Sequence, residues 1–136
     1  MKINLKETGL AMIFRKYEQI TVLEYFKQEE SSVFEGGKSG SGKAWEYCNC
    51  KLEEMGESIS RASIIFYLNR MLDEGVFDFY DRTGKGGHHK LYYSKMNLAQ
   101  FWRFVMKQAY LKLIEASGDT EFMKKLVDAE GNIDIY

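Results

Sequence analysis

Proline is absent from this 136-residue chain, and cysteine nearly so, with Cys48 and Cys50 its two representatives. The first absence excludes a proline-rich linker or recognition tract. The second excludes a disulfide framework and fits a reducing compartment, so a cytoplasmic location is expected. No stretch approaches the ~20 apolar residues that span a bilayer, and no membrane partner is expected. The N-terminus lacks an apolar run ending in a small-residue cleavage site, so a secretory signal is not expected there either. An excess of one charge is also missing. Lys and Arg number 19 against 20 Asp and Glu, a formal net charge of −1. The bulk basic signature common among nucleic-acid binders is therefore absent.

What is present is a folded globule's composition, 45% hydrophobic and 15% aromatic, in a length that buries one core without staples. The charge is also unevenly spread. Residues 82–95 carry Arg82, Lys85, Lys90, Lys95, His88 and His89 with no carboxylate, whereas Glu121, Asp128, Glu130 and Asp134 make the C-terminal end acidic. Such a gradient suits a chain that offers one face to a polyanion.

Apolar periodicity predicts one or two helices between about residues 7 and 28, marked by Leu10, Ile13, Phe14, Tyr17, Leu23 and Phe26. Residues 31–42 (SSVFEGGKSGSG) read as a flexible loop from which Ser41 or Gly42 starts the next helix. That helix is predicted over 43–55, with Trp45, Cys48, Leu52 and Met55 inward and Gly56 ending it. After a turn over 56–59, Ser60 is the expected N-cap of a helix over 61–74. Its buried stripe is Ile64, Leu68, Met71 and Leu72, and Gly75 closes it. A β-rich run at 76–80, a turn at 83–87 and a returning strand at 90–93 predict a hairpin. Asn97 then caps a long helix to about residue 116, and a short helix is expected over 120–129.

Helix, helix, turn, helix, hairpin and long helix make a mainly α protein: a winged helix-turn-helix with a three-helix core, a β-hairpin wing and C-terminal dimerisation helices. The expected division is a winged-helix domain over 1–96, with an N-terminal helical extension, and dimerisation helices over 97–136. In such a fold the second motif helix lies in the major groove. With Ile64 and Leu68 inward, Arg61, Ala62, Ile65, Phe66 and Asn69 face outward. Arg61 suits a guanine and Asn69 an adenine. Ser58, Ser63 and the helix N-terminus suit phosphates. Ile65 and Phe66 either contact thymine methyls or pack under the wing. Arg82, Lys85, His88, His89 and Lys90 would carry the wing's charge along a minor groove or backbone.

The long helix has two apolar stripes: Leu98, Phe101, Trp102, Val105, Ala109 and Leu113 on one side, and Phe104, Tyr110, Leu111 and Ile114 on another. Two stripes imply a second buried partner, most economically a twofold copy of the chain. Leu98, Phe101, Trp102, Val105, Tyr110, Leu113 and Ile114 are the expected interface.

The segment Ser60-Arg61-Ala62-Ser63-Ile64, followed by Leu68-Asn69-Arg70-Met71 and Gly75-Val76, resembles the recognition helix and first wing strand of the penicillinase-repressor (BlaI/MecI-type) family. Leu91-Tyr92-Tyr93-Ser94 resembles that family's x-Tyr-x-Tyr-x-Pro wing strand, with Ser94 in place of the usual proline. The resemblance runs over about residues 17–116 and implies a dimeric repressor on a palindromic operator. It implies DNA contact at Ser60, Arg61, Ser63 and Arg70, with the wing at 85–90. Residues 31–42 are longer than the family's usual connection.

Gly37-Lys38-Ser39-Gly40-Ser41-Gly42-Lys43-Ala44 nearly spells a phosphate-binding loop, but Ala44 stands where a magnesium-binding hydroxyl belongs and no βαβ pattern follows. Cys48 and Cys50, two apart on a helix, point about 200° away from each other and chelate poorly. Cys48 is expected in the core and Cys50 near the surface. No catalytic spacing of serine, histidine and carboxylate is present, so neither enzyme activity nor a cofactor is expected. A winged helix used for protein–protein interaction is the principal alternative to a DNA binder.

Overall fold

A computed structural model of the chain describes residues 1–84, 87–118 and 121. Lys85 and the side chain of His88, both expected at the wing tip, lie outside the described residues. So do, Glu121 apart, the expected helix over 120–129 and the acidic residues Asp128, Glu130 and Asp134.

In chain order the elements are α1 (Lys16–Phe26), α2 (Ser41–Glu53), α3 (Arg61–Asp73), β1 (Phe77–Gly84), β2 (Gly87–Ser94) and α4 (Leu98–Ser117). Short 3₁₀ turns occupy Gly9–Met12 and Glu35–Gly37. Among the described residues this is a small α/β protein of four α-helices and a two-stranded antiparallel sheet, compatible with a winged helix. Two compact units divide it, Met1–Leu98 and Ala99–Tyr136. Among the described residues no helix is long and apolar enough to cross a membrane.

In the first unit the helices bury stripes at helical spacing. Val22, Tyr25 and Phe26 come from α1; Ala44, Cys48 and Leu52 from α2; Ile64, Tyr67, Leu68 and Met71 from α3. Each fully buried Val, Leu, Ile, Phe or Met among them is worth about 1.5–3 kcal/mol against exposure. Tyr25 joins three parts of the chain, its ring 4.8 Å from Phe34 and 4.7 Å from Phe77 of β1. Both helix ends at this core are glycine-terminated as expected. At Gly56 (φ 74°), the Glu57 N–H donates to the Leu52 carbonyl at 2.9 Å; at Gly75 (φ 81°), the Val76 N–H donates to Met71 at 3.1 Å. These are Schellman closures.

Three inward assignments are corrected. Because α2 ends at Glu53, Met55 falls past it and is 54% exposed. Trp45 is only half-buried, and Ala44 takes the core position. On α3, Leu72 is half-buried and Tyr67 is covered in its place. The hairpin ladder also runs further than expected. Gly84 pairs with Gly87, so Thr83 sits in a strand and not in the turn, and Arg82 and His89 join the ladder as well.

The largest departure is residues 31–42, which are pinned at four points. The Glu24 carboxylate, 1% exposed, accepts the Val33 N–H at 2.5 Å and pairs with Lys27 at 2.9 Å. Burial alone would raise its pKa, but Lys27 and the Val33 N–H outweigh it and hold the carboxyl below its ordinary value. Phe34 is buried between Tyr25 and Tyr47. Ser39 exchanges both backbone hydrogen bonds with Tyr92 of β2, each 2.9 Å, and its carbonyl accepts the Tyr25 hydroxyl at 3.1 Å. Gly37 (φ 72°) lies so close to the chain at Gln28 that a Cβ would sit 2.3 Å from that residue's carbonyl oxygen.

Gly37→Ala is therefore expected to lower stability by about 3 kcal/mol, from backbone overlap and a left-handed conformation together. Gly84→Ala, which meets nothing within 4 Å, should change it by less than about 0.5 kcal/mol. Equal denaturant midpoints for the two variants would contradict the crossing.

Candidate nucleic-acid interface

The start of α3 is held by its own cap and by α2. The Ser60 Oγ accepts the Ser63 N–H at 3.2 Å, and the two serine hydroxyls are 2.9 Å apart. From α2, the Trp45 Nε1–H donates to the Ile59 carbonyl at 2.8 Å, while the Asn49 Oδ1 accepts the Ile59 N–H at 3.0 Å. The turn is thus fastened on both sides of its last residue, fixing where α3 begins. Ser58 and Ser60 are exposed and Ser63 is half-buried.

Arg61, Ala62, Ile65 and Phe66 are exposed on α3, as their spacing predicts. Phe66 is 76% exposed, which removes the alternative that it packs under the wing. Asn69 and Arg70 are engaged inside the molecule. The Tyr92 hydroxyl donates to the Asn69 Oδ1 at 3.1 Å. The Arg70 guanidinium donates to the Glu18 carboxylate and lies 5.3 Å from the centre of the Tyr67 ring. Glu18 is 2% exposed and also accepts the Arg15 N–H at 2.8 Å, so it joins the first turn of α1 to α3. Beside it the Tyr67 hydroxyl is buried without a hydrogen-bond partner among the described residues. Burial, then the nearby Glu18, raises the Tyr67 pKa well above its ordinary value. Arg70 is thus occupied as a structural cation, a role the sequence pattern did not indicate.

The hairpin brings Arg82 opposite His89 and Asp81 opposite Lys90. Lys90 Nζ lies 5.0 Å from the centre of the Phe79 ring. Because Ser39 pairs with Tyr92, the segment before α2 runs alongside this strand, and a cleft of about 640 Å³ opens between them. Its walls carry Lys38, Lys43, Arg82, His89 and Lys90 with one carboxylate, Glu35. Gly40, the N-cap of α2, is also in the wall. The first amides of that helix and its dipole favour an anion there. Arg61 extends the cationic surface: a Cβ on Gly42 would meet its guanidinium at 3.3 Å.

Sequence reasoning missed Lys38 and Lys43, which belong to this cluster. The near-phosphate-loop spelling around them has a different origin. Gly37 permits the crossing at Gln28, and Gly40 begins α2. The lead-in is a 3₁₀ turn and a single antiparallel bridge, unlike the parallel strand that such a loop follows. Cys48 is buried and Cys50 exposed. Burial pushes the Cys48 thiol pKa up, which suits a core residue more than a ligand. Among the described residues, no group of three or more His, Cys, Asp and Glu is placed to hold a metal.

The expected dimer residues lie on α4 and separate into two sets. Phe101 and Val105 are already buried within the single chain, which removes them from an open interface. Trp102, Tyr110 and Ile114 are half-buried, and Leu98 and Leu113 are exposed at 38% and 54%. Trp102, Met106, Tyr110 and Leu113 share one helical stripe, with Met106 47% exposed.

Comparison of the chain with known families, curated proteins and solved structures finds no match.

Arg70→Ala should lower stability by about 1–2 kcal/mol, because it strips a buried carboxylate of its cation. Half of the arginine side chain is open to solvent, 49% exposed, which keeps the loss at this lower end. An unchanged thermal or denaturant midpoint would contradict the structural role.

Proposed function

We propose that the chain is a winged-helix regulator of the penicillinase-repressor type. It binds double-stranded DNA as a homodimer in the cytoplasm and represses by occupying a pseudo-palindromic site. One observation carries the reading: in a chain of net charge −1, Lys38, Lys43, Arg82, His89 and Lys90 converge on one cleft at the N-terminus of α2. Arg61, at the start of α3, lies against the same helix end. Four permanent cations, Lys38, Lys43, Arg82 and Lys90, gathered in one place favour a polyanion as partner. The cluster adjoins a capped helix with a bare outward face, the arrangement a major groove accepts. The α2 N-terminus and the hairpin hold phosphates and set register, while α3 reaches base edges.

The second copy is drawn to α4, where Trp102, Met106, Tyr110 and Leu113 leave an apolar stripe partly open to water. A twofold pairing through this stripe brings two copies of α3 to a pseudo-palindromic site, whose half-sites lie about 34 Å, or a small multiple of that, apart.

Contact of about five cations with phosphates gives a slope of about −4.5 in log affinity against log salt. A fourfold rise in salt then weakens binding about 500-fold. Lys38→Gln and Lys43→Gln should each reduce that slope by about 0.9 and weaken all duplexes alike. Gel shifts against salt read both effects, and salt-independent retention or no shift would overturn the DNA reading.

In sedimentation the wild-type chain should run as a dimer and Leu113→Glu as a monomer. A monomeric wild type would overturn the pairing.

A further inference from the structure

The polar side chains of α3 best suited to reading bases are largely spoken for. The hydroxyls of Ser60 and Ser63 face each other across the cap. Adenine recognition by asparagine uses both ends of the amide, yet the Asn69 Oδ1 already accepts the Tyr92 hydroxyl at 3.1 Å. Arg70 is paired with Glu18. On the outward face that leaves Arg61 at the helix start and then Ala62, Ile65 and Phe66. These last three are exposed at i, i+3 and i+4 and so form a single patch. Phe66, 76% exposed, is its summit.

We infer that α3 selects DNA by the methyl groups of thymine, with Phe66 as the principal contact and Ala62 and Ile65 beside it. The inference rests on the DNA-binding reading and adds to it the kind of sequence that is read. Cations stand on the elements beside the apolar patch. Arg61 stands one turn before Ile65, its guanidinium 3.3 Å from where a Cβ on Gly42 would sit, next to Lys43. Asn69, one turn after Ile65, is tied to Tyr92, two residues along β2 from Lys90. A protein partner for a bare phenylalanine needs no such flanking charge; a polyanion does. Among polyanions, B-form DNA offers apolar groups at base edges in an accessible major groove, in the form of the thymine C5-methyl. RNA offers neither, having a deep, narrow major groove and uracil for thymine.

The test starts from duplexes enriched by the full-length protein out of a random pool, each then synthesised with thymine and with uracil. The two forms differ by the methyl groups alone. Loss of one buried methyl corresponds to about a fourfold loss of affinity, and the uracil form should bind weaker by about that factor for each methyl contacted. Phe66→Ala should bind the two forms with nearly equal affinity while keeping the wild-type salt slope. Phe66→Leu should retain part of the difference. The cycle of protein variant against base isolates the contact from any general loss of affinity. Because Phe66 is exposed, both variants should keep the wild-type circular dichroism spectrum and midpoint. Salt-sensitive binding with equal affinity for thymine and uracil forms would overturn this inference and leave the DNA-binding reading standing. Failure to enrich or shift any duplex would overturn both and assign the bare ring to a protein partner.

Discussion

The crossing of residues 37–39 over the body of the first unit is the constraint on which the candidate site depends. A glycine at position 37 lets the chain pass against the Gln28 carbonyl. Two residues later Ser39 is locked to β2 by a reciprocal pair of backbone hydrogen bonds. Gly40 then caps α2. The N-terminus of α2 is therefore placed by the hairpin, and the cations on each approach the same space. Without the crossing, nothing would hold Lys38 in its loop and Lys43 on α2 beside Arg82 and Lys90 of the hairpin. Charge density here is a product of backbone pairing, and net charge says nothing of it.

A second constraint fixes α3. The Glu18–Arg70 pair ties it to the first turn of α1, and Trp45 and Asn49 tie the preceding turn to α2. A helix held at its start and along its inner side offers its outward face without rearrangement, which keeps the ordering cost of binding low. The same holding occupies Arg70 and one end of the Asn69 amide. The structure thus gives up polar readers for rigidity and leaves an apolar patch that follows Arg61 on the same helix.

Much of this was legible locally. Ser60 as a cap, Gly56 and Gly75 as helix ends, and the hairpin at a glycine-rich turn follow from rules that span a few residues, and the structure has them all. The exposed positions of α3 followed from its period. Several of the failures share one cause, a partner far away in sequence. Arg70 finds Glu18 at a separation of 52 residues and Asn69 finds Tyr92 at 23. Residues 31–42 looked flexible because their anchors, Glu24, Tyr25 and Tyr92, lie in other elements. Composition could mark that stretch as irregular but not as fixed. On α4 the period placed apolar residues on two sides, yet it could not tell that Phe101 and Val105 are covered in the single chain while Leu113 is open.

The central claim, that the cleft at the α2 N-terminus and the outward face of α3 together receive a DNA duplex, is tested most directly by mapping backbone amide resonances during a titration with duplex. The account predicts that residues 40–43, 61–66 and the strand positions Arg82, His89 and Lys90 shift together, as one saturating event. Shifts that leave these three segments unmoved while other residues respond would contradict it.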